Sequence, residues 1–433
     1  MSGPRIRDAV TAALVSMGVT VKDCGLASTP AMFMITITVD DAMNCDGAIQ
    51  ITASHHPWFR NGLKFFTPGG GLEGEDIAAL LELAQGGKFS AAPGGTAENV
   101  DYMSAYAAGL RQMITDACGE NPLAGLHIIV DAGNGVGGFY ATQVLAPLGA
   151  DIAGSQFLDP DGRFPNHIPN PENGDAMASV CAAVTAAGAD LGVIFDTDVD
   201  RAGLVDGAGR EINRNRLIAM AAALALETCP GGTIVTDSVT SDGLKLFIES
   251  LGGHHRRYKR GYKNVIDEAI RLNRAGIPSP LAMETSGHAA FRENRFLDDG
   301  AYLATKLIIK AAQLKRQGKT LDSLIENLKE PAESLEFRFS IIDPDFRAVG
   351  ERVLEDFKQT AARKGWPLAP DNDTSEGVRL SFDEGWLLLR VSVHDPVMPL
   401  NIESDKEGGC GEMIERVQRF FEEQAALVMP EGF

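Results

Sequence analysis

Hydrophobic and polar positions along this chain repeat one phrase. Leu126–Asp131 (LHIIVD) is an apolar run of strand length, followed by a Gly/Asn turn, a helical stretch to Leu148-Gly149 and a second strand near Asp151–Ala153. Thr233–Asp237 (TIVTD) begins the phrase again. A Ser/Thr/Asp turn, the helical stretch Leu244–Leu251, Gly252-Gly253 and a strand near Arg257–Tyr258 complete it. Strand, turn, helix, glycine stop and strand make the βαβ unit of a parallel sheet.

The N-terminus carries the same phrase without its first strand. Ser2 is placed to cap a helix, Pro4 suits its first turn, and Ile6, Val10, Leu14 and Met17 keep helical spacing up to Gly18. Val19–Lys22 is the next strand. A parallel sheet lacking the strand ahead of that helix leaves its neighbour partly unpaired. The expectation is a fragment, or a start at a misassigned Met, that lacks an N-terminal segment.

The C-terminal part changes character. Val378–Phe382 and Trp386–Val393 flank the turn Asp383-Glu384-Gly385, and Met413–Phe421 is an amphipathic helix. A hairpin with a covering helix predicts a smaller α+β domain. Joints fall near Gly87–Gly95, Asp206–Gly209 and Glu330–Ala332. The predicted fold is therefore α/β: three similar α/β domains (1–98, 99–208, 209–330) with mixed, mostly parallel sheets, then an α+β domain (331–433). A chain of 433 residues has room for them, since domains run to about 100–200 residues.

Composition removes several function classes. The net charge of −20 argues against nucleic acid or an anionic membrane as partner. No apolar run reaches the ~18 residues that span a bilayer. The six scattered cysteines form no Cys-x-x-Cys pair, so they read as buried thiols of a reducing compartment, and the expected location is cytoplasmic.

Three segments carry candidate chemistry. Thr52-Ala53-Ser54-His55-His56-Pro57, running on to Asn61-Gly62-Leu63-Lys64, follows the strand Ala48–Ile51. Ser54 then sits on a polar turn at a strand's carboxyl end, where open α/β sheets place ligands. A hydroxyl beside imidazoles and an ammonium suits a nucleophile or phosphoryl carrier, and a plain capped turn is the alternative. Asp196-Thr197-Asp198-Val199-Asp200-Arg201 follows the apolar strand Leu191–Phe195. In extended chain its three carboxylates share one side, and hard oxygen ligands together favour Mg²⁺ or Ca²⁺. An EF-hand would need Gly at Arg201 and Glu at Gly207, so that reading fails. Met283-Glu284-Thr285-Ser286-Gly287-His288, with Asp298-Asp299-Gly300 after it, groups a carboxylate, a hydroxyl and an imidazole suited to sugar hydroxyls, or makes an ordinary polar loop.

Together and in this order, these segments resemble the α-D-phosphohexomutase family, which includes phosphoglucomutase, phosphomannomutase and phosphoglucosamine mutase. The family's serine loop T-A/G-S-H-N-P-x-x-x-N-G-x-K is matched by TASHHPWFRNGLK, with His56 for Asn. Its metal loop D-x-D-x-D-R is matched by DTDVDR, and its sugar loop G-E-x-S-G-H by METSGH except at Met283. The resemblance spans essentially the whole chain and implies four domains around a central cleft. Two departures stand out. The family's first strand and a substrate-contacting Arg have no counterpart. The last phosphate loop, usually R-x-S-G-T-E-P ending in another Arg, is here Arg390-Val391-Ser392-Val393-His394-Asp395-Pro396, with Pro399 where that Arg is expected.

The resemblance implies a mutase that interconverts hexose 1-phosphate and hexose 6-phosphate. It would work through phosphorylated Ser54 and a hexose 1,6-bisphosphate that also acts as activator. One Mg²⁺ per chain would be held by Asp196, Asp198 and Asp200 against Ser54. Arg201 and His55 would contact phosphoryl oxygens, and Glu284 and Ser286 would grip sugar hydroxyls. Arg390, Ser392 and His394 would hold the distal phosphate. Lys64, His288 and Lys263 are the acid–base candidates, Lys64 with the best motif match. The partner would be a phosphosugar, with glucose and mannose preferred because the Gln often found at Thr285 in glucosamine-type relatives is absent. The chain would be a monomer or homodimer. Two other readings compete. One is a degenerate mutase fold kept for binding or regulation. The other is an NAD-binding oxidoreductase, suggested by the G-x-G-x-x-G match Gly133–Gly138 with Asp159 beyond it.

Overall fold

The computed structural model of the chain describes residues 2–40, 42–57, 59–370, 375–392 and 395–433. In chain order the elements begin with α1 (Gly3–Ser16), β1 (Thr20–Asp23), α2 (Thr29–Met34), β2 (Ala48–Ile51), β3 (Leu63–Thr67), β4 (Gly70–Gly71), α3 (Gly74–Gly86) and β5 (Thr96–Asn99). They continue with α4 (Tyr102–Cys118), β6 (Ile128–Asp131), α5 (Gly174–Ala187), β7 (Leu191–Phe195), β8 (Ala202–Asp206) and β9 (Glu211–Ile212). Next come α6 (Arg214–Thr228), β10 (Thr233–Asp237), α7 (Asp242–Ser250), β11 (His254–Tyr258), α8 (Tyr262–Arg274), β12 (Leu281–Met283), β13 (Ala289–Phe291) and α9 (Gly300–Lys315). The last are β14 (Glu333–Ile341), α10 (Phe346–Lys364), β15 (Val378–Phe382), β16 (Gly385–Leu389), β17 (Val397–Ser404), α11 (Gly409–Glu422) and β18 (Leu427–Val428).

They form two compact units, Met1–Asn213 with Ser286–Leu324, and Arg214–Thr285 with Ile325–Phe433. The first unit has its best core around β6 and β7, whose residues are all buried and which pair in parallel from Ile128–Leu191 to Asp131–Ile194. α5 covers them because Val180 and Val184 lie on one face and meet Ile129 and Ile194. Asn173 starts that helix by accepting from Ala176 N, and Gly188, left-handed at φ 60°, ends it. β7 turns back antiparallel into β8, with Phe195 opposite Ala202, so the loop 196–201 is a hairpin connection. β2 and β3 make a second antiparallel hairpin around residues 52–62.

In the second unit β10 lies between β11 and β12, parallel to both. Ser241 caps α7 by accepting from Leu244 N, and Leu244, Phe247 and Ile248 form its buried face. The C-terminal sheet runs β15-β16-β17-β14-β18, antiparallel throughout. α10 and α11 supply Phe357 and Phe421 to its core, where Phe421 stacks on Phe339 at 4.4 Å between ring centroids. Each fully buried Phe contributes about 2–3 kcal/mol of transfer free energy.

Several expectations need correction. Ser2 makes no side-chain cap; its hydroxyl instead accepts from Asn61 Nδ2 at 2.7 Å. The helix expected up to Leu148 is a π-helical stretch, Tyr140–Leu145, followed by a 3₁₀ turn. Pro147 lacks the N–H that an α-helix would use there. The strand near Asp151–Ala153 is reduced to isolated bridges, His127–Asp151 and Asp131–Gln156. β16 stops at Leu389, short of the expected strand, whose last residue, Val393, lies outside the described residues. Arg390 N donates to Pro399 O at 3.1 Å, but Pro399 has no N–H to return, so the ladder ends. All six cysteines are free thiols. Among the described residues no helix is long and apolar enough to cross a membrane.

Candidate active site and metal centre

The loop after β2 is closed by its own backbone. Thr52 N donates to Gly62 O at 3.1 Å, and a side chain on Gly62 would begin 2.6 Å from Thr52 O, so only glycine fits. Ser54 N donates to Thr52 Oγ1 at 2.9 Å, and Ser54 takes φ 50°, a left-handed conformation that favours glycine. The loop thus holds a serine in a backbone shape costing on the order of 1–3 kcal/mol, a frequent mark of functional positions.

The aspartate loop is not extended, so alternation along a strand is not what gathers its carboxylates. It is a turn in which Val199, a β-branched residue, has φ 64°. Three neighbours clamp its carbonyls: Val136 N donates to Thr197 O at 2.9 Å, Thr29 N to Asp198 O at 2.9 Å and Gly300 N to Val199 O at 3.0 Å. Carboxylate oxygens of Asp196, Asp198 and Asp200 come within 4.8 Å of one another, and all three residues are buried. Burial and the other two carboxylates push Asp196 well above the ordinary range. Burial also pushes Asp200 upward, but Lys64 and His288 outweigh it and hold that carboxyl below the ordinary range. Oδ1 of Asp198 and Oδ1 of Asp200 are buried and accept no hydrogen bond among the described residues. Three converging hard oxygen donors with orphaned lone pairs fit a divalent cation such as Mg²⁺.

Ser54 stands against this cluster. Its hydroxyl lies 3.3 Å from Asp196 Oδ2 and 3.2 Å from His55 Nδ1, and it accepts from Arg201 Nη2 at 2.9 Å. Arg201 also donates to Asp196 Oδ2 at 3.3 Å, Asn170 Oδ1 at 3.1 Å and His55 Nδ1 at 2.8 Å. A guanidinium only donates, so His55 Nδ1 is the bare nitrogen of a neutral ring. Burial first, then Arg201, lowers the His55 pKa to about 4, in agreement. Lys64, on β3, reaches Asp200 Oδ2 at 2.7 Å and Asp198 Oδ2 at 3.1 Å. His288 Nε2 lies 3.7 Å from Asp200 and 3.5 Å from Asp298, while its Nδ1 bonds Ser286 Oγ at 2.8 Å. Asp299 caps α9 through Tyr302 N and accepts from Tyr106 at 2.6 Å.

Ser54, His55, Lys64, the three aspartates, Arg201, Ser286 and His288 are thus all in the first unit. Glu284, Lys263, Arg390 and Ser392 are in the second. Glu284 is buried and accepts from Gly261 N at 2.6 Å. Lys263 is on the first turn of α8, with its ammonium 3.0 Å from Asp267. Arg390 is buried, its Nε without a hydrogen-bond partner among the described residues, and Ser392 Oγ accepts from Asp395 N at 3.3 Å. His394 lies outside the described residues.

Thr29, Asn170 and Arg260 belong to these clusters and were not singled out by sequence. Thr29 Oγ1 donates to Asp198 Oδ2 at 2.5 Å. Glu376 accepts from Arg260 N at 2.9 Å and from the Ser238 hydroxyl. Thr29-Pro30 and Asn170-Pro171 are turn signals that say nothing about a distant partner. The Gly133–Gly138 run does not make a dinucleotide crevice. Side chains on Gly135, Gly137 and Gly138 would start 2.5 Å from Thr197 O, 2.9 Å from the Phe195 ring and 2.1 Å from Leu158 O. These glycines let β6's turn pack against the aspartate loop.

Comparison with known proteins gives the family. The phosphoglucomutase/phosphomannomutase alpha/beta/alpha domain models match in order: domain I over residues 1–90, domain II over 102–209 and domain III over 213–331. A phosphomannomutase/phosphoglucomutase of Pseudomonas aeruginosa is 30% identical over 99% of this chain and 86% of its own length. A phosphoglucomutase of Neisseria gonorrhoeae is 29% identical over 99% of this chain and 88% of its own. Among solved structures, a phosphoglucomutase/phosphomannomutase family protein from Burkholderia thailandensis superposes with a TM-score of 0.82 at 26% identity, covering 99% of this chain and 88% of that one. The chain is a phosphohexomutase-type α/β enzyme. It belongs to the phosphoglucomutase/phosphomannomutase family.

Proposed function

We propose that this protein interconverts hexose 1-phosphate and hexose 6-phosphate, with glucose and mannose as the sugars, through phosphorylated Ser54. The observation that carries the reading is the Ser54 hydroxyl 3.3 Å from Asp196, within a cluster of three buried carboxylates. Asp196, Asp198 and Asp200 would hold Mg²⁺. The ion would supply charge neutralisation at the transferring phosphoryl group.

The remaining chemistry belongs to the chain. A sugar hydroxyl attacks phosphorus, the bond from phosphorus to Ser54 Oγ breaks, and a hexose 1,6-bisphosphate forms. A base takes the proton of the attacking hydroxyl, and an acid returns one to Ser54 Oγ. After the sugar turns end for end, the other phosphoryl group passes back to Ser54. Lys64 and His288 are the acid and base candidates, because both touch the aspartate cluster. Arg201 steadies phosphoryl oxygens beside Ser54, and His55 contributes through the N–H at its Nε2.

Lys263 is retained in substrate binding, on the motif alone. Glu284 and Ser286 grip sugar hydroxyls. Arg390, Ser392 and His394 take the distal phosphate. Burial first, then Arg260, lowers the Arg390 pKa, a strain that an anion would relieve. The four-domain division and a cytoplasmic location, consistent with six free thiols, complete the reading.

The test is a panel of hexose phosphates with a catalytic trace of the 1,6-bisphosphate, together with intact-mass analysis. Turnover of glucose or mannose 1-phosphate and a phosphoryl adduct on Ser54 are expected. A chain that neither turns over nor carries the adduct would be a binding protein instead.

A further inference from the structure

The connection from Gln156 to α5, residues 157–173, contains no helix or strand, so side chains fix its course. Loops of more than about 12–15 residues without such structure are usually functional. Asn170 in this loop accepts from Arg201 Nη1 at 3.1 Å through its Oδ1. What holds Asn170 there begins at Asp131, the last residue of β6, which is wholly buried. Asp131 accepts from Gly133 N at 2.8 Å and from Gln156 Nε2 at 2.7 Å, and His167 Nε2 lies 3.1 and 3.0 Å from its two carboxylate oxygens. The His167 side chain is only 4% exposed. Phe157 packs edge-on against its ring at 5.3 Å between centroids, and a side chain on Gly133 would begin 3.1 Å from the ring's Cε1.

The other ring nitrogen faces an acceptor as well. His167 Nδ1 is 3.1 Å from Ile168 O, and the same carbonyl accepts from Asn170 N at 2.8 Å. A neutral imidazole has one bare nitrogen, which here would aim its lone pair at an oxygen that can only accept. Two acceptors therefore call for two N–H groups, the imidazolium form. Burial works against that second proton, but the hydrogen bond and charge of Asp131, with Ile168 O, outweigh it and raise the His167 pKa above the ordinary 6.5. Among the described residues Asp131 is the charged group that acts on the ring, while Asp161 and Arg163 on the same loop pair with each other at 2.6 Å.

We propose that His167, held as an imidazolium on Asp131, is a positioning residue for Arg201. It acts through Ile168 O and Asn170, which keep the guanidinium aimed at the Ser54 hydroxyl 2.9 Å away. When pH rises through the His167 pKa, the proton on Nδ1 passes to water and Nε2 keeps its N–H on Asp131. The bare Nδ1 then repels Ile168 O, and the loop that carries Asn170 loses its anchor. The anchor is complete below pH 6.5 and is lost as pH climbs through the raised folded value. Turnover thus has an alkaline limit set outside the residues that meet substrate. The inference rests on the part read above for Arg201 in phosphoryl transfer.

Nuclear magnetic resonance tests the coupling without substrate. Histidine labelled with ¹³C at Cε1 gives one signal per ring, and His167→Gln identifies the one from His167. Its titration midpoint is expected above 6.5. The Arg201 Nε–H signal, identified with Arg201→Lys, should move with the same midpoint and should stop doing so in Asn170→Ala. In turnover assays at rising pH, the parent's kcat should fall with that midpoint. His167→Gln keeps a donor on Asp131 but has no proton to lose, so its kcat should lack that fall. At neutral pH its kcat should be about tenfold lower with KM little changed, and Asn170→Ala should lose as much. The double variant should lose no more than either single one, because both act on Arg201 along one path. A His167 midpoint at or below 6.5, an Arg201 signal that ignores the titration, or additive losses in the double variant would each overturn the proposal. Asn170 is partly exposed, so Asn170→Ala keeps the Arg201 signal decisive even if His167→Gln does not fold. A parent protein without turnover would sink the catalytic reading alone, because the substrate-free signals still decide whether His167 governs Arg201.

Discussion

Arg201 donates to the Ser54 hydroxyl across 2.9 Å, although 147 positions separate the two residues. The same guanidinium holds Asp196, Asn170 and His55, so one side chain ties the serine loop to the aspartate loop. Its planar fork makes four directed bonds from a buried position, and an ammonium cannot reproduce them. Arg201→Lys is expected to lower kcat/KM by about 10²–10³ while the fold persists. A coupled assay alongside circular dichroism checks this, and activity within a few-fold of the parent would remove Arg201 from the mechanism.

Ser54 sits in a left-handed conformation, which separates its chemistry from its stability. Ser54→Ala should lose turnover and the phosphoryl adduct yet remain folded. Ser54→Gly should be equally inactive but more stable than Ser54→Ala by about 1 kcal/mol, because glycine adopts φ 50° without a Cβ clash. Denaturant titration of the two variants decides the second point. Near-normal activity in either one would end the phosphoserine assignment.

Among the described residues, Thr29 touches the proposed metal site through Asp198, so it would serve as a positioning residue. Thr29→Val keeps the shape and removes the bond from Oγ1 to Asp198 Oδ2. Magnesium affinity should fall about 10–100-fold, as for other residues that orient a ligand, and Thr29→Ser should restore it. Isothermal titration with Mg²⁺ reads the effect without substrate. Unchanged affinity in the Val variant would show that Asp198 needs no such support.

Glu403 gives a pH dependence with a definite sign. Burial raises its carboxyl from the model-compound value of 4.5 to about 7, against the opposing pull of Arg379 and of Trp386, whose Nε1 donates to Oε2 at 3.1 Å. Between pH 4.5 and about 7 the folded state keeps a proton that the unfolded chain releases. Stability from this group is therefore full below pH 4.5 and is lost as pH rises through that window. Glu403→Gln should gain on the parent protein over the same window, by on the order of 2–3 kcal/mol at its upper end. Parallel urea titrations across the window measure the difference, and a gap that does not widen with pH would contradict it.

Sequence reached far into this protein. The strands β2, β6, β7 and β10 and the C-terminal α+β part follow from local periodicity and turn chemistry, which act over a few residues, whereas the antiparallel returns into β3 and β8 do not. Ser54, Lys64 and the three aspartates stand out as candidates for the same reason, since each lies in a short run with a distinctive order of side chains, and the fold brings them together. Tertiary structure decided what no local pattern encodes. Asp196, Asp198 and Asp200 converge through a turn at Val199 that three distant backbones clamp, and alternation along a strand plays no part. Thr29, at the start of α2, and Asn170, beside a proline turn, enter the site because folding carries them there. The glycines at 133–138 that imitate a nucleotide loop are explained only by Thr197, Phe195 and Leu158 pressing against them. Backbone periodicity is set by neighbours along the chain. Side-chain convergence is set by which surfaces bury together, and that is a property of the folded whole.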